Sequence, residues 1–332
     1  MARTLPPDLA RGLLAAGQRI AAAPPSSVSD TVRAVAALQA QDAAAAALGI
    51  RARRPGSTLA DVAHARFEER SVARTWVMRG TLHLIPAEDA RWMVALLGPI
   101  GLRKSARRIA ELGVADARPA IRAALADGPL TRRELADAVR SRGVSMADHP
   151  QAPAWLTAVA ALQGEIIEGP DKRFVLSDDW LPPSPAPADP VVELARRHAH
   201  AHPPAGPEDF SAWSGLGLRE ARRAYAELDL EEVEVLGRTA YLPRGLEPAP
   251  RHVRLLPAFD SILLGHRDRS LILRPEHDKA VRPGGGILAA TLVADGRIEG
   301  TWKLDRGRPK VTPFGDFDYA AEVADVERFR AT

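Results

Sequence analysis

The apolar positions fall into three runs of helical spacing, each followed by a pair of short β-prone segments. Between Asp8 and Ile20, Leu9, Leu13, Leu14 and Ile20 recur at intervals that line one helix face. Pro24-Pro25-Ser26-Ser27 interrupts them, and a second helix is expected from a cap at Ser29 or Asp30 through Val32, Val35 and Leu38. A third is expected over about 58–70, after Pro55-Gly56. Thr75–Met78 and Thr81–Ile85 then flank Arg79-Gly80, and two such runs around a glycine predict a hairpin.

The same order returns twice. Beyond a helical connector across 87–115, Thr131 and Glu134 have the spacing of a capping box at the head of a helix over 132–139. A helix over 154–162 carries Trp155, Leu156 and Val159, and the runs 165–168 and 173–176 pair across Gly169-Pro170-Asp171-Lys172. The Pro-rich run 182–187 reads as a linker. A third copy runs from 191–199 through 210–216 and 219–227 to the β-prone pieces 233–235 and 239–242. Residues 251–312 lose the helical period and alternate apolar runs with glycines. A few short helices followed by a hairpin outline a winged helix. The expected fold class is therefore α+β, with three tandem winged-helix units and a C-terminal β-rich, barrel-like module. The expected domains are 1–115 with its connector, 116–181, 188–246 and 251–318.

Composition narrows the chemistry. The 332 residues are 46% hydrophobic, too apolar for a disordered chain. There is no cysteine, which removes disulfides, thiolate nucleophiles, Cys-ligated zinc and iron–sulfur clusters. No run of 18 apolar residues exists and the N-terminus lacks a secretory h-region, so no membrane partner and a cytoplasmic, nucleoid-associated location are expected. The net charge of +3 conceals an imbalance: residues 1–110 hold 16 Lys and Arg against 8 Asp and Glu. Of the 45 basic residues 40 are arginine, whose fork binds phosphate bidentately. A basic first third suits a polyanion, although Arg-rich, Ala-rich usage also follows from a GC-rich coding sequence. Arg33, Arg51, Arg53 and Arg74 are candidate phosphate contacts, each against the plain alternative of a solvated charge. Arg79 and His83, in the first hairpin, either grip the backbone or form an Arg-Gly turn with a buried histidine. Arg267 and Arg269 lie in a basic turn, 266–269, that would enter a groove or remain an exposed loop.

Other constellations offer less. His198 and His202 share a helix face, but a zinc site needs more ligands and a second shell, so no metal is expected. Gly284-Gly285-Gly286 has no Gly-Lys-Ser/Thr after it, and Gly215-Leu216-Gly217 no strand before it, so neither cradles a nucleotide. Gln39-Ala40-Gln41 is the remaining feature. On an extended backbone residues two apart point to one face; on a helix they would diverge by about 200°. Asp42, next in line, fits an N-cap for 43–48 better than a partner for a catalytic water. By spacing alone, the glutamines read as ordinary capping or solvated side chains.

Leu38-Gln39-Ala40-Gln41 and the run Thr75–Leu84 (TWVMRGTLHL) strongly resemble the AlkZ-like winged-helix DNA glycosylases. So do 209–216 (DFSAWSGL), 257–264 (PAFDSILL) and 295–302 (DGRIEGTW), and the resemblance spans about residues 8–305. It implies three winged helices with a barrel-like module, and a catalytic pair Gln39 and Gln41 in a Gln–aliphatic–Gln/Asp signature. Gln41 puts the chain with the AlkZ side of the family rather than the YcaQ relatives that end in Asp, and Ala40 is smaller than the aliphatic often found between. The implied activity is monofunctional hydrolysis of the N-glycosidic bond of N7-alkylated purines, including interstrand crosslinks and bulky natural-product adducts. No cofactor is needed. The implied partner is double-stranded DNA carrying such bases. A non-catalytic winged-helix regulator is the competing reading. The chain shows no obvious helix for the symmetric pairing many regulators require, so a monomer is expected.

Overall fold

The computed structural model describes residues 3–21, 23–115 and 117–331. The chain divides into two compact units, residues 1–63 with 191–332, and residues 64–190. The stretch 1–115 is thus shared between them, and the later division falls just past the Pro-rich run 182–187.

In the first unit, helix α1 (Pro7–Gly17) begins on proline at its first position, where a missing N–H costs nothing. Helix α2 (Val28–Ala34) is capped by Ser27, whose hydroxyl accepts from the Asp30 N–H at 3.0 Å. It stops well short of Leu38. Ala36 adopts φ 66°, and Leu38–Gln39 is strand rather than the last turn of a helix. Helix α3 (Ala43–Arg53) follows at once, capped by Asp42. Leu14, Ile20, Ala52 and the apolar face of Leu256–Leu273 pack into one core.

Arg3–Thr4 pairs in parallel with Val233–Glu234, so Leu230–Val235 lies between it and its hairpin partner Arg238–Pro243. Four antiparallel strands, Val253–Leu256, Ala290–Ala294, Arg297–Asp305 and Arg308–Pro313, form a second sheet in that order. This sheet is open, which corrects the barrel-like expectation. Four strands are too few to curl shut, and the first of them is covered instead. The C-terminal helix Ala320–Ala331 lies on it, and the Leu255 N–H donates to Glu322 at 2.9 Å. An edge capped by a side-chain carboxylate needs no partner strand.

The second unit contains the hairpin Val72–Trp76/Leu82–Pro86 and the helices Ala90–Lys104 and Ala106–Leu112. Three further helices, Arg118–Leu125, Arg132–Ser141 and Ala152–Leu162, share a core with Phe174 and Ile166. The capping box at Thr131 and Glu134 is complete in both directions, at 3.3 and 2.7 Å. A small sheet places Arg173–Leu176 between Leu130–Thr131 and Ile166–Glu168.

Candidate active site

Gln39 and Gln41 sit on the segment that joins α2 to α3. Along it burial alternates: Leu38 and Ala40 are fully enclosed, Gln39 is half-buried and Gln41 exposed. That period of two is the signature of an extended backbone, so the two amides lie on the side away from the core. The left-handed turn at Ala36 ends the helical run early enough for this to happen. Below it Leu38 lies against Gly49 of α3, where an added methyl group would stand in ordinary contact, 3.5 Å from the leucine Cδ2.

Asp42 is used structurally. Its Oδ1 accepts from the backbone N–H of Ala44 and Ala45 at 2.9 and 3.2 Å, which satisfies the first turn of α3. The far end of α3 is buried and polar. The Arg53 guanidinium forks onto both oxygens of Asp260 at 2.8 Å, and also donates to Gln18 at 2.8 Å and Ser261 at 3.1 Å. The Gln18 amide donates to the Ala201 carbonyl at 2.6 Å and meets His202 Nδ1 at 3.1 Å. Asp260 also caps the short helix Ser261–Leu264. Arg51 donates to Glu322 and Asp325, each at 2.9 Å, and to the Leu255 carbonyl.

Arg51 and Arg53 are each 1% exposed. Their expected role as phosphate contacts is therefore corrected: they fix α3 from inside, with their charge already met by carboxylates. Arg74 departs from expectation for the same reason. It is buried against Glu168, which also receives Arg66 at 3.0 Å. His83 is 2% exposed, its Nδ1–H donating to the Thr81 carbonyl at 2.9 Å. Burial, aided by the Arg79 charge, lowers its pKa to about 3, so a neutral core histidine replaces the expected DNA contact.

The other predicted cations stay near solvent. Arg79 is half-buried in the tight turn Met78–Gly80 at φ 56°. Arg33 is half-exposed and pairs with Asp30 at 2.6 Å. Arg267 is exposed, with its backbone N–H on Asp209 at 2.9 Å. Arg269 lies deeper, Nε on the Leu263 carbonyl at 2.6 Å. Both line a cleft of about 1090 Å³ that also holds Arg238 and Arg282. The carboxylates there are close: Asp268 takes Arg238 and Asp278 takes Arg282, both at 2.6 Å.

His198 and His202 are buried among Phe210, Trp213 and Tyr225 rather than arrayed for a metal. In neutral His198, Nε2–H donates to the Gly265 carbonyl at 2.9 Å and Nδ1 accepts from the Tyr225 hydroxyl at 2.8 Å. Burial lowers its pKa to about 4. Among the described residues no three His, Cys, Asp or Glu side chains gather to hold a metal ion, and no helix is long and apolar enough to cross a membrane.

Sequence reasoning missed the acidic partners, Asp260, Glu322, Asp325 and Glu168, that decide which arginines are spent. The one signal that could have suggested two of them is the three-residue spacing of Glu322 and Asp325, which lie one turn apart on the terminal helix.

The family model described as DNA glycosylase AlkZ-like matches residues 32–328. The interstrand DNA cross-link repair glycosylase of Streptomyces sahachiroi is 30% identical over 321 residues, covering 87% of this chain and 85% of that protein. The solved structure of the Streptomyces sahachiroi DNA glycosylase AlkZ matches with a TM-score of 0.80 at 25% identity, covering 99% of this chain and 98% of that one.

Proposed function

The chain belongs to the AlkZ-like family of DNA glycosylases, and from that premise we propose that it hydrolyses the N-glycosidic bond of N7-alkylated purines in duplex DNA, with Gln39 and Gln41 as its catalytic residues. The substrates extend to interstrand crosslinks, the lesion named for the Streptomyces sahachiroi relative. The observation that carries this reading is the alternation at 38–41, which turns both amides away from the core.

An N7-alkylated purine is already cationic. When the N9–C1′ bond breaks, its electron pair goes to the base, which leaves neutral and needs no general acid. The developing oxocarbenium ion at C1′ must then be met by water. The amide oxygens of Gln39 and Gln41 orient that water and offer partial negative charge to the sugar. The water oxygen bonds to C1′ and its proton passes to solvent, because an amide is too weak a base to keep it. No lysine occurs before Lys104, and lyase chemistry would require an amine to form a Schiff base; the reaction stops at the abasic site.

The helix-and-hairpin groups within 1–115, 116–181 and 188–246 act as winged helices that follow the duplex backbone, with residues 251–318 as a separate β-rich module. Arg33, Arg79 and Arg267 are the surface cations of the predicted set that would touch phosphate, and the enzyme acts as a monomer. A crosslinked base cannot be swung fully out of the stack, so an open site suits such lesions better than a closed pocket. The test is release of free 7-methylguanine from methylated duplex, followed by chromatography. Release by the unaltered protein that survives Gln39→Ala/Gln41→Ala would overturn the assignment.

A further inference from the structure

We propose that a basic cleft formed by α1, α2 and the helix Pro190–Ala201 holds a backbone phosphodiester of the bound duplex; the proposal rests on the DNA-repair reading above and adds a binding site to it. The cleft, about 270 Å³, is lined by Arg19, Arg33, Arg196, Arg197 and His200, and its remaining walls are small or apolar side chains with no carboxylate among them.

Glu193 and Asp30, which pair with cations of the cleft, are not among the residues that line it. One carboxylate, Glu193, accepts from both Arg196 Nε and Arg197 Nε, at 2.8 and 2.7 Å. Asp30 takes Arg33 but also receives the hydroxyls of Ser26 and Ser27. Among the described residues no carboxylate lies within ion-pair reach of Arg19. Burial and then the Arg196 charge, opposed by Glu193, hold the His200 imidazole below its ordinary pKa.

The backbone at Arg19 has a local feature of its own. It follows the cap of α1 at φ 55° and donates its N–H to the Ala16 carbonyl at 3.0 Å. Helices ending in this left-handed conformation usually place glycine there, because a Cβ is strained. An exposed arginine is held in glycine's position.

The position favours DNA over a free anion. Arg33 and Ala34 close α2 only five residues before Gln39. Five residues reach at most about 18 Å, or roughly five base-pair rises. A phosphate in the cleft would therefore lie on the duplex that presents its lesion to Gln39 and Gln41, and the guanidinium forks match its oxygens.

The test compares duplex binding across salt for the full chain, Arg19→Gly, Arg19→Lys and Arg19→Gly/Arg196→Gln. Arg19→Gly relieves the strained backbone, so it should unfold no earlier than the unaltered protein while binding duplex several-fold more weakly. The double variant should reduce the slope of log affinity against log salt by about one for each phosphate it no longer grips. Arg19→Lys, which keeps the charge, should retain most of the slope. Unchanged affinity and slope in the double variant would refute the site. Saturable binding of inorganic phosphate, abolished by Arg19→Gly while duplex affinity is unmoved, would assign the cleft to a free anion and also refute it. Base release by the unaltered protein is read separately, so a failure there strikes the glycosylase assignment and leaves duplex binding to judge the cleft.

Discussion

The two ends of α3 have opposite characters within eleven residues. At its head Gln39, Gln41 and Asp42 alternate with or follow the enclosed Leu38 and Ala40, and stand away from the core. At its foot Arg51 and Arg53 are sealed inside, each matched to carboxylates and carbonyls. At the head two neutral amides stand away from the core beside an exposed capping carboxylate, and at the foot the buried charges are structural. Burying a guanidinium is tolerable only when its charge is met by geometry this good, so the foot locks the helix, while on the proposed reading the head meets the substrate. In a chain where 40 residues are arginine, the location of the carboxylates decides which cations are available for DNA.

The largest effect should come from breaking the lock. Asp260→Asn leaves Arg53 buried beside a neutral amide, and removal of one partner from a buried pair costs about 3–5 kcal/mol. The urea midpoint should fall steeply without a change in m-value. Arg53→Met/Asp260→Leu, which removes both charges, should recover much of the loss. If Asp260→Asn unfolds at the same urea concentration as the unaltered protein, the ion pair does not anchor α3.

The head of the helix should respond in the reverse sense. Gln39→Ala/Gln41→Ala should lower single-turnover base release by about 10²–10³-fold, the range for a group that stabilises a transition state, while the urea midpoint moves little. Single-turnover kinetics with excess protein separates this from a binding defect. Equal losses of activity and stability in both pairs of variants would erase the distinction between the two ends.

The legibility of the chain follows the same division. The capping box at Thr131, the hairpin 166–176 and the N-cap at Asp42 were readable because each is a local rule satisfied within a few residues. The helix expected through Leu38 was not, because a left-handed alanine has no compositional signal, unlike glycine. Arg51, Arg53 and Arg74 were misplaced because their partners lie 207 or 271 positions away for the first two and 94 for the third. Pairings that distant leave no periodicity behind. The open sheet at 253–313 failed likewise, since Glu322 and its helix were needed to see how its first strand is covered.

Buried histidines sharpen the contrast through pH. His198 and His83 have folded-state pKa values of about 4 and about 3, below the ordinary 6.5 of an unfolded chain. The unfolded state therefore binds more protons below pH 6.5, and stability falls with pH in that range. Each histidine should remove about 1.5 kcal/mol between pH 6.5 and 5. Urea titrations at pH 7, 6 and 5 would show it, and a flat profile across that range would place these rings in contact with water. His198→Asn should flatten its share of the slope.

The smallest effect belongs to an exposed cation in the large cleft. The Arg267 side chain is solvent-exposed, and its structural bond to Asp209 comes from the backbone N–H, which every substitution but proline retains. Arg267→Ala should leave the urea midpoint within about 0.5 kcal/mol, as for most surface substitutions. Duplex affinity should fall uniformly across sequences, with the salt slope reduced by about one. Asp260→Asn, made in the same short region, should do the opposite, unfolding the protein without changing the salt slope of whatever remains folded. If Arg267→Ala instead destabilises the fold and leaves the slope intact, exposure would not distinguish DNA-facing arginines from structural ones, and the rule drawn from the two ends of α3 would not extend beyond that helix.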